Sequence, residues 1–389
     1  MSIAVTIVCV AGEASGDASG AALLRVVRQH LPQVRFWGIG GQHLREVGAE
    51  LLYDSSRWGA VGVVESLRLV PALWLAQQRL KRRLTQQPPH LLVLVDFGAF
   101  NVPLAKWAKR RGIRVFYYFP PGSWRRQLPR HTDLPHCTDC IVTPFPWSAQ
   151  LLRQAGANAH FVGHPLLDRV RPTLSVEEFC QRLDLAPEGL RIGLLPGSRR
   201  QEVRALLPTL REAAEQLARQ HPEAQFVIAL APSVQEEEVR QAFVSSKVQW
   251  RMVRGMTYEV MAHSHLLWCC SGTATLEAAI LGTPMIILYR GSRLMEWEYH
   301  LRKRWLNLTF IGLPNLIAER GICPELVQHD AVPANIVAHT IALLPGTEAY
   351  HAQQKALQEV KSVLGEPGAT ARAARLLIEC LGVNYVSAS

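Results

Sequence analysis

The chain has 389 residues, 42 Lys plus Arg against 32 Asp plus Glu, and a formal charge of +10. At roughly 150 residues per domain that length predicts two globular domains, and a charged fraction of only 19% with apolar residues throughout argues against disorder. No run approaches the roughly 18 to 20 apolar residues of a spanning helix, and the N-terminus MSIAVTIVCVAGEASG lacks a basic n-region, so neither a membrane span nor a signal peptide is expected. The expected compartment is the cytosol, with the eight cysteines reduced.

In chain order, short apolar runs alternate with longer amphipathic stretches. Ile3–Val10, Leu91–Val95, Val115–Tyr118 and Cys140–Val142 read as buried parallel strands, each followed by a turn and a helix-period segment. Residues 1–165 are therefore a first βαβα domain, and the proline-containing stretch 166–190 reads as a linker. Arg191–Leu195, Gln225–Ala231, Leu266–Cys269 and Met285–Leu288 are the strands of a second domain over 191–366, with helices at about 199–220, 234–243, 273–281 and 293–305. The final third turns helical, at about 333–344, 348–364 and 367–381. The fold class is α/β, two doubly wound domains in tandem, whose ligands belong at the carboxyl ends of the strands in the cleft between them.

The strand ends carry the informative motifs. After the first strand comes Ala11-Gly12-Glu13-Ala14-Ser15-Gly16-Asp17, which has neither a GxGxxG fingerprint nor a P-loop lysine. Glu13 and Asp17 would repel a phosphate, so this loop suits hydroxyl recognition or base chemistry. A tight turn with an acidic helix start is the structural alternative. In Val61–Leu84, the residues Val63, Val64, Leu67, Val70 and Trp74 precede Lys81, Arg82 and Arg83, a pattern shared by interfacial helices that meet lipid headgroups and by core helices with a basic end. Positive charge concentrates in the same region: residues 68–130 hold 13 Lys or Arg and a single acid, Asp96. Such a stripe attracts a phosphorylated substrate or an anionic membrane surface. No nucleic-acid recognition module accompanies it, so nucleic acid is not an expected partner. Cys137 and Cys140 form a CxxC without a second pair, so no metal site is expected, and His164 suits packing and ligand contact equally.

The second domain opens with Leu195-Pro196-Gly197-Ser198-Arg199, a strand, a Gly-Ser turn and an arginine at a helix start, suited to clamp a diphosphate. Farther on, Ser271 and Thr273 can bond phosphate oxygens at a helix start, while Glu277 can accept from ribose hydroxyls.

In this order, the GEASGD loop, FWGIGG at Phe36–Gly41, LLPGSR with Glu202, SGTATLE followed by PMIILYR, and LPNLIAERGICPELVQ at Leu313–Gln328 resemble the lipid-A-disaccharide synthase family, from Val10 to about Gln328. The resemblance implies a GT-B fold, two Rossmann-like domains facing a cleft, with the terminal helix (367–389) crossing back to the first domain. It implies an inverting hexosyltransferase of lipid A biosynthesis, without metal or other cofactor, peripheral to the cytoplasmic face of the inner membrane. Such an enzyme joins UDP-2,3-diacylglucosamine to 2,3-diacylglucosamine 1-phosphate in a β-1,6 linkage and releases UDP; a homodimer exchanging C-terminal segments is a further implication. Arg199, Ser271, Thr273, Glu277 and Asn315 fall where the family binds UDP.

Two motifs depart from the family. Where its members carry Asp-x-Pro-Asp-Phe-Asn, this chain reads Asp96-Phe97-Gly98-Ala99-Phe100-Asn101, and Ser-Pro-Ser-x-Trp-Ala-Trp is replaced within Phe119-Pro120-Pro121-Gly122-Ser123-Trp124-Arg125-Arg126. Both changes fall on the acceptor side. Because Ala99 cannot take a proton, the candidates for base or acceptor orientation are Asp17, Glu13, Glu65 and Asp96. Two further readings stand beside the main one: a homologue with a different acceptor, and a non-catalytic protein that binds a nucleotide sugar.

Overall fold

The computed structural model of the protein describes residues 5–55, 58, 63–127, 132–291 and 309–382, the side chains of 63–68 excepted. The chain divides into two compact units, Met1–Asp168 with Val363–Ser389, and Arg169–Ser362.

The first unit is built on seven parallel strands: β1 (Thr6–Ala11), β2 (Arg35–Gly40), β3 (Glu50–Asp54), β4 (Leu91–Val95), β5 (Val115–Tyr118), β6 (Cys140–Thr143) and β7 (Ala159–Phe161), in the order β3-β2-β1-β4-β5-β6-β7. Its helices are α1 (Ala14–His30), α2 (Gln42–Glu46), α3 (Val63–Gln86), α4 (Gly98–Lys109), α5 (Leu134–Cys137), α6 (Pro146–Gln154) and α7 (Leu166–Arg169), the last ending at the boundary. The central strands are apolar at nearly every position because successive side chains enter different cores. Ile7, Cys9, Leu91, Val93 and Val95 pack on one face of the sheet, and Val8, Val10, Leu92 and Leu94 on the other.

The second unit contains α8 (Val176–Leu183), α9 (Arg200–Gln220), α10 (Glu236–Phe243), α11 (Thr257–His263), α12 (Thr273–Leu281), α13 (Leu313–Ala318), α14 (Pro333–Ala342) and α15 (Glu348–Val363). Its strands are β8 (Arg191–Leu195), β9 (Gln225–Leu230), β10 (Gln249–Arg254), β11 (Leu266–Cys270), β12 (Met285–Tyr289) and β13 (Glu325–Val327), parallel in the order β10-β9-β8-β11-β12-β13. The stretch 166–190 is not simply extended: it holds α7 and α8, and α8 starts with a complete Ser175/Glu178 capping box. The helix expected at 293–305 lies outside the described residues.

The terminal helix α16 (Ala369–Cys380) belongs to the first unit's core. Its residues Ala369, Ala373 and Leu377, one helical turn apart, join Leu23, Leu24 and Val27 of α1 in one apolar cluster. Asp168 fixes its start, accepting from Gly368 N at 2.5 Å, Thr370 N at 2.9 Å and Thr370 Oγ1 at 2.8 Å. A carboxylate here satisfies the unpaired N–H groups of the helix and opposes its dipole. Asp168→Ala is expected to cost about 2 kcal/mol, measured by urea unfolding, with protection of the α16 amides lost first in hydrogen exchange.

Candidate active site

Each sheet reverses its strand order once, and the loops on either side of that point diverge to leave a crevice at the carboxyl ends of the strands. In the first unit the reversal lies between β1 and β4, so the Gly12–Asp17 loop and the Asp96–Phe97 loop meet there. Phe97 covers Gly12 so closely that a Cβ on that glycine would fall 2.2 Å from the ring. Asp96 and Phe97 both adopt left-handed backbone, with φ of 45° and 47°, a conformation that non-glycine residues take only when their surroundings hold them. Here Asn101 Nδ2 donates to the carbonyls of Val95 (3.1 Å) and Asp96 (2.9 Å), and the Tyr117 hydroxyl donates to the Asp96 carbonyl (2.9 Å).

The backbone of Asp96 is thus pinned at the switch point. Asp96 is an exposed residue, yet the strand ends and loops crowded around it exclude part of its hydration. This desolvation is the main cause that pushes its pKa up to about 6; the charge of Glu13 adds to the shift and a hydrogen bond from the Phe97 backbone opposes it. Glu13 is exposed at the N-cap of α1.

Asp17 has another role than the sequence suggests. It is buried, and its carboxylate accepts from Gly41 N (2.6 Å), His43 N (2.9 Å) and Leu44 N (3.2 Å). These are the open N–H groups at the start of α2, so Asp17 anchors that helix. The FWGIGG glycines follow from it, because a Cβ on Gly40 or Gly41 would meet the Asp17 oxygens at 2.9 and 2.8 Å. The side chains of Glu65, Val63, Val64 and Leu67 lie outside the described residues.

In the second unit the reversal lies between β8 and β11, and both nucleotide-type motifs are there. Ser198 is exposed, and Arg199 forms the N-cap of α9, with Nη1 3.0 Å from Oε1 of the buried Glu202. The guanidinium remains about half exposed (48%), so it can reach an anion. Ser271 Oγ donates to the Ile311 carbonyl at 3.2 Å, and Thr273 is exposed at the first position of α12. Neither α9 nor α12 has a side-chain cap, so both present open N–H groups. Glu277 Oε1 receives the Tyr258 hydroxyl at 3.3 Å and lies 3.5 Å from Arg169. Burial raises the pKa of Glu277, against the pull of Arg169.

Asn315 does not line this crevice as a free ligand. It is fully buried; Nδ2 donates to Cys323 O and Glu325 Oε1, and Oδ1 accepts from Ile322 N and Cys323 N. All its hydrogen-bonding capacity ties α13 to the segment before β13, so its role is positional. Arg169 and Tyr258, which orient Glu277, lie far from it in sequence and match no local motif.

Helix α3 has two faces. Ala76, Leu80 and Leu84 are buried at helical spacing, whereas Val70, Trp74 and Leu75 are exposed. Lys81 Nζ donates to Gln77, Arg83 pairs with Glu50 and lies over Trp37, and Arg82 faces solvent. Among the described residues no helix is long and apolar enough to cross a membrane, and no group of three or more His, Cys, Asp or Glu could hold a metal. Cys137 and Cys140 are buried free thiols. His164 packs against Phe145 and accepts from Leu166 N through Nδ1.

Residues 7–377 match the family model described as lipid-A-disaccharide synthetase. The chain belongs to that family. It is 37% identical over 377 residues to the lipid-A-disaccharide synthase of Geobacter sulfurreducens, covering 97% of each chain, and 37% identical over 381 residues to that of Nitrosococcus oceani, covering 98% of this chain and 97% of the relative. Among solved structures, the S. aureus MnaA–UDP co-structure superposes with a TM-score of 0.64 at 13% identity, covering 100% of this chain and 99% of the other. The calicheamicin glycosyltransferase CalG4 does so at 0.61 and 15%, covering 98% and 99%. The two Rossmann-like units are those of the GT-B fold.

For this lipid-A-disaccharide synthase family member, Asp17→Ala is expected to lower stability by about 2–4 kcal/mol, because three N–H groups lose a charged acceptor; chemical denaturation checks it. Glu13→Ala, which removes no such acceptor, is expected to leave stability within about 0.5 kcal/mol.

Proposed function

We propose that the chain is an inverting hexosyltransferase that transfers 2,3-diacylglucosamine from its UDP donor to 2,3-diacylglucosamine 1-phosphate and releases UDP. Within the family the chain belongs to, the observation that supports this most is Asp96, a carboxylate pushed up to about 6 at the switch point of the first sheet; we read Ala99 as standing where the family resemblance leads one to expect a second acid. A base with that pKa is ionised at neutral pH and still holds a proton strongly enough to assist attack.

In the reaction, the 6-hydroxyl of the acceptor attacks the anomeric carbon from the face opposite UDP. The new C–O bond forms as the bond to the diphosphate breaks, UDP leaves with the electron pair, and Asp96 takes the hydroxyl proton. Arg199 and the open N–H groups of α9 and α12 neutralise the leaving diphosphate. Ser198, Ser271 and Thr273 supply phosphate contacts, and Glu277 accepts from the ribose. S. aureus MnaA, which shares the fold, was solved with UDP, and that supports reading this unit as the nucleotide half. Glu13 acts through Asp96, holding the pKa of the base up. The exposed Val70, Trp74 and Leu75, with Arg82 nearby, suit a peripheral position on an anionic bilayer that presents the acylated substrates.

Ala99 also supports a second reading, a nucleotide-sugar-binding protein without transfer activity. Incubation with both acylated substrates, followed by mass spectrometry, separates the two. The first reading expects the disaccharide and one UDP for each, and absence of both would overturn it. Asp96 acts deprotonated, so the rate is expected to rise with pH up to about 6 and then level off. Asp96→Asn is expected to lower kcat by about 10²–10⁴, and Arg199→Ala to weaken UDP binding by about tenfold or more.

A further inference from the structure

Beside the β4 loop, the first unit contains a cavity of about 260 Å³ that the reaction above leaves unused. Its walls come from the loop after β5 (Pro120, Pro121, Ser123, Arg125) and from residues flanking α5 and α6, among them Asp133 and Ser148. The volume falls just below that of ordinary small-molecule sites, so it fits a headgroup-sized fragment and not a whole acylated sugar. Pro121 packs directly on Gly98, where a Cβ would meet its ring at 2.5 Å. The cavity loop therefore touches the loop that carries Asp96, two residues away.

The charge of the cavity is unbalanced. Asp133, the one acid among its lining residues, is already paired with Lys106. Arg125 is half-buried, its guanidinium 5.1 Å from the Trp124 ring centroid, and it has no carboxylate partner among the described residues. Its Nε is shielded from solvent without an acceptor. Leaving a charged donor unsatisfied in this way is costly, and an oxyanion in the cavity would relieve it. Gly122, at φ 72°, makes the turn that folds the arginine back, with Arg125 Nε 3.4 Å from where a Cβ would stand. The next residue, Arg126, lies 3.6 Å over the Trp147 ring and adds a second cation to the loop. Both arginines lie in the Phe119–Arg126 window, where the sequence differs from the Ser-Pro-Ser-x-Trp-Ala-Trp expected from the family resemblance.

We propose that this cavity is a subsite for a phosphate monoester carried on a hexosamine, with Arg125 as its cation and Ser123 and Ser148 as neutral donors. The identification of the sugar rests on the acceptor reading given above. The binding chemistry does not: a dianionic monoester matches a guanidinium fork with hydroxyls beside it. Held there, the phosphate would set the reach of the sugar's hydroxyls toward Asp96, making Arg125 a positioning residue.

Equilibrium dialysis of the full chain with radiolabelled glucosamine 1-phosphate tests this apart from any transfer activity. The unlabelled competitors are glucosamine and glycerol 3-phosphate, and the variants are Arg125→Gln and Arg125→Lys. The wild type is expected to bind the phosphorylated sugar about tenfold or more tightly than glucosamine. Arg125→Gln is expected to abolish that preference and Arg125→Lys to keep part of it, with circular dichroism unchanged in both. Preference retained in Arg125→Gln, or absent from the wild type, would overturn the proposal. Equal competition by glycerol 3-phosphate would overturn the sugar assignment in favour of a lipid headgroup. If the wild type binds as expected yet forms no disaccharide, the transfer reading fails while the subsite stands.

Discussion

A parallel sheet wound in both directions from its middle has one place where neighbouring loops must part, and both units of this chain set their polar chemistry there. In the first unit that place receives Glu13 and Asp96; in the second it receives Arg199, Ser271, Thr273 and Glu277. The first place presents two carboxylates, and the second adds a half-exposed arginine and open N–H groups to its own carboxylates. That difference matches the two needs of glycosyl transfer, removal of a proton and acceptance of a diphosphate.

The two aspartates near the first switch point show how environment divides one side-chain type into two roles. Asp17 has three backbone N–H groups within hydrogen-bond distance, so its negative charge is satisfied and holds α2 in place. At Asp96 the neighbouring side-chain donors go to its carbonyl instead: Asn101 and Tyr117 both bond there. The carboxylate therefore loses hydration without full compensation, and Glu13 adds like-charge repulsion.

How much of this was legible in sequence follows from burial. The interior strands β4, β5 and β8 stand where their apolar runs put them, since both faces of each are covered. Of the five strands outside those runs, β2 is interior and carries two glycines, and β3, β7, β10 and β13 are the four sheet edges. The burial of β3 and β10 is partial, and β7 and β13 are only three residues long. Site motifs were legible as places but not as roles. Asp17 and Asn315 look like ligands in one dimension because nothing local reveals the backbone groups that occupy them. Arg169 reaches Glu277 only through the fold. The Arg125 cavity depends on a turn at Gly122 and on Pro121 meeting Gly98, contacts no spacing rule contains.

The account depends most on Asp96 being a carboxylate that its surroundings keep reluctant to ionise. Carboxyl ¹³C NMR titration of the aspartate-labelled chain, with the Asp96 signal assigned by its loss in Asp96→Asn, measures this directly. The signal is expected to titrate near pH 6 and to move lower in Glu13→Gln, where the repelling charge is gone. Titration in the ordinary aspartate range near 4, or a midpoint indifferent to Glu13→Gln, would contradict the account.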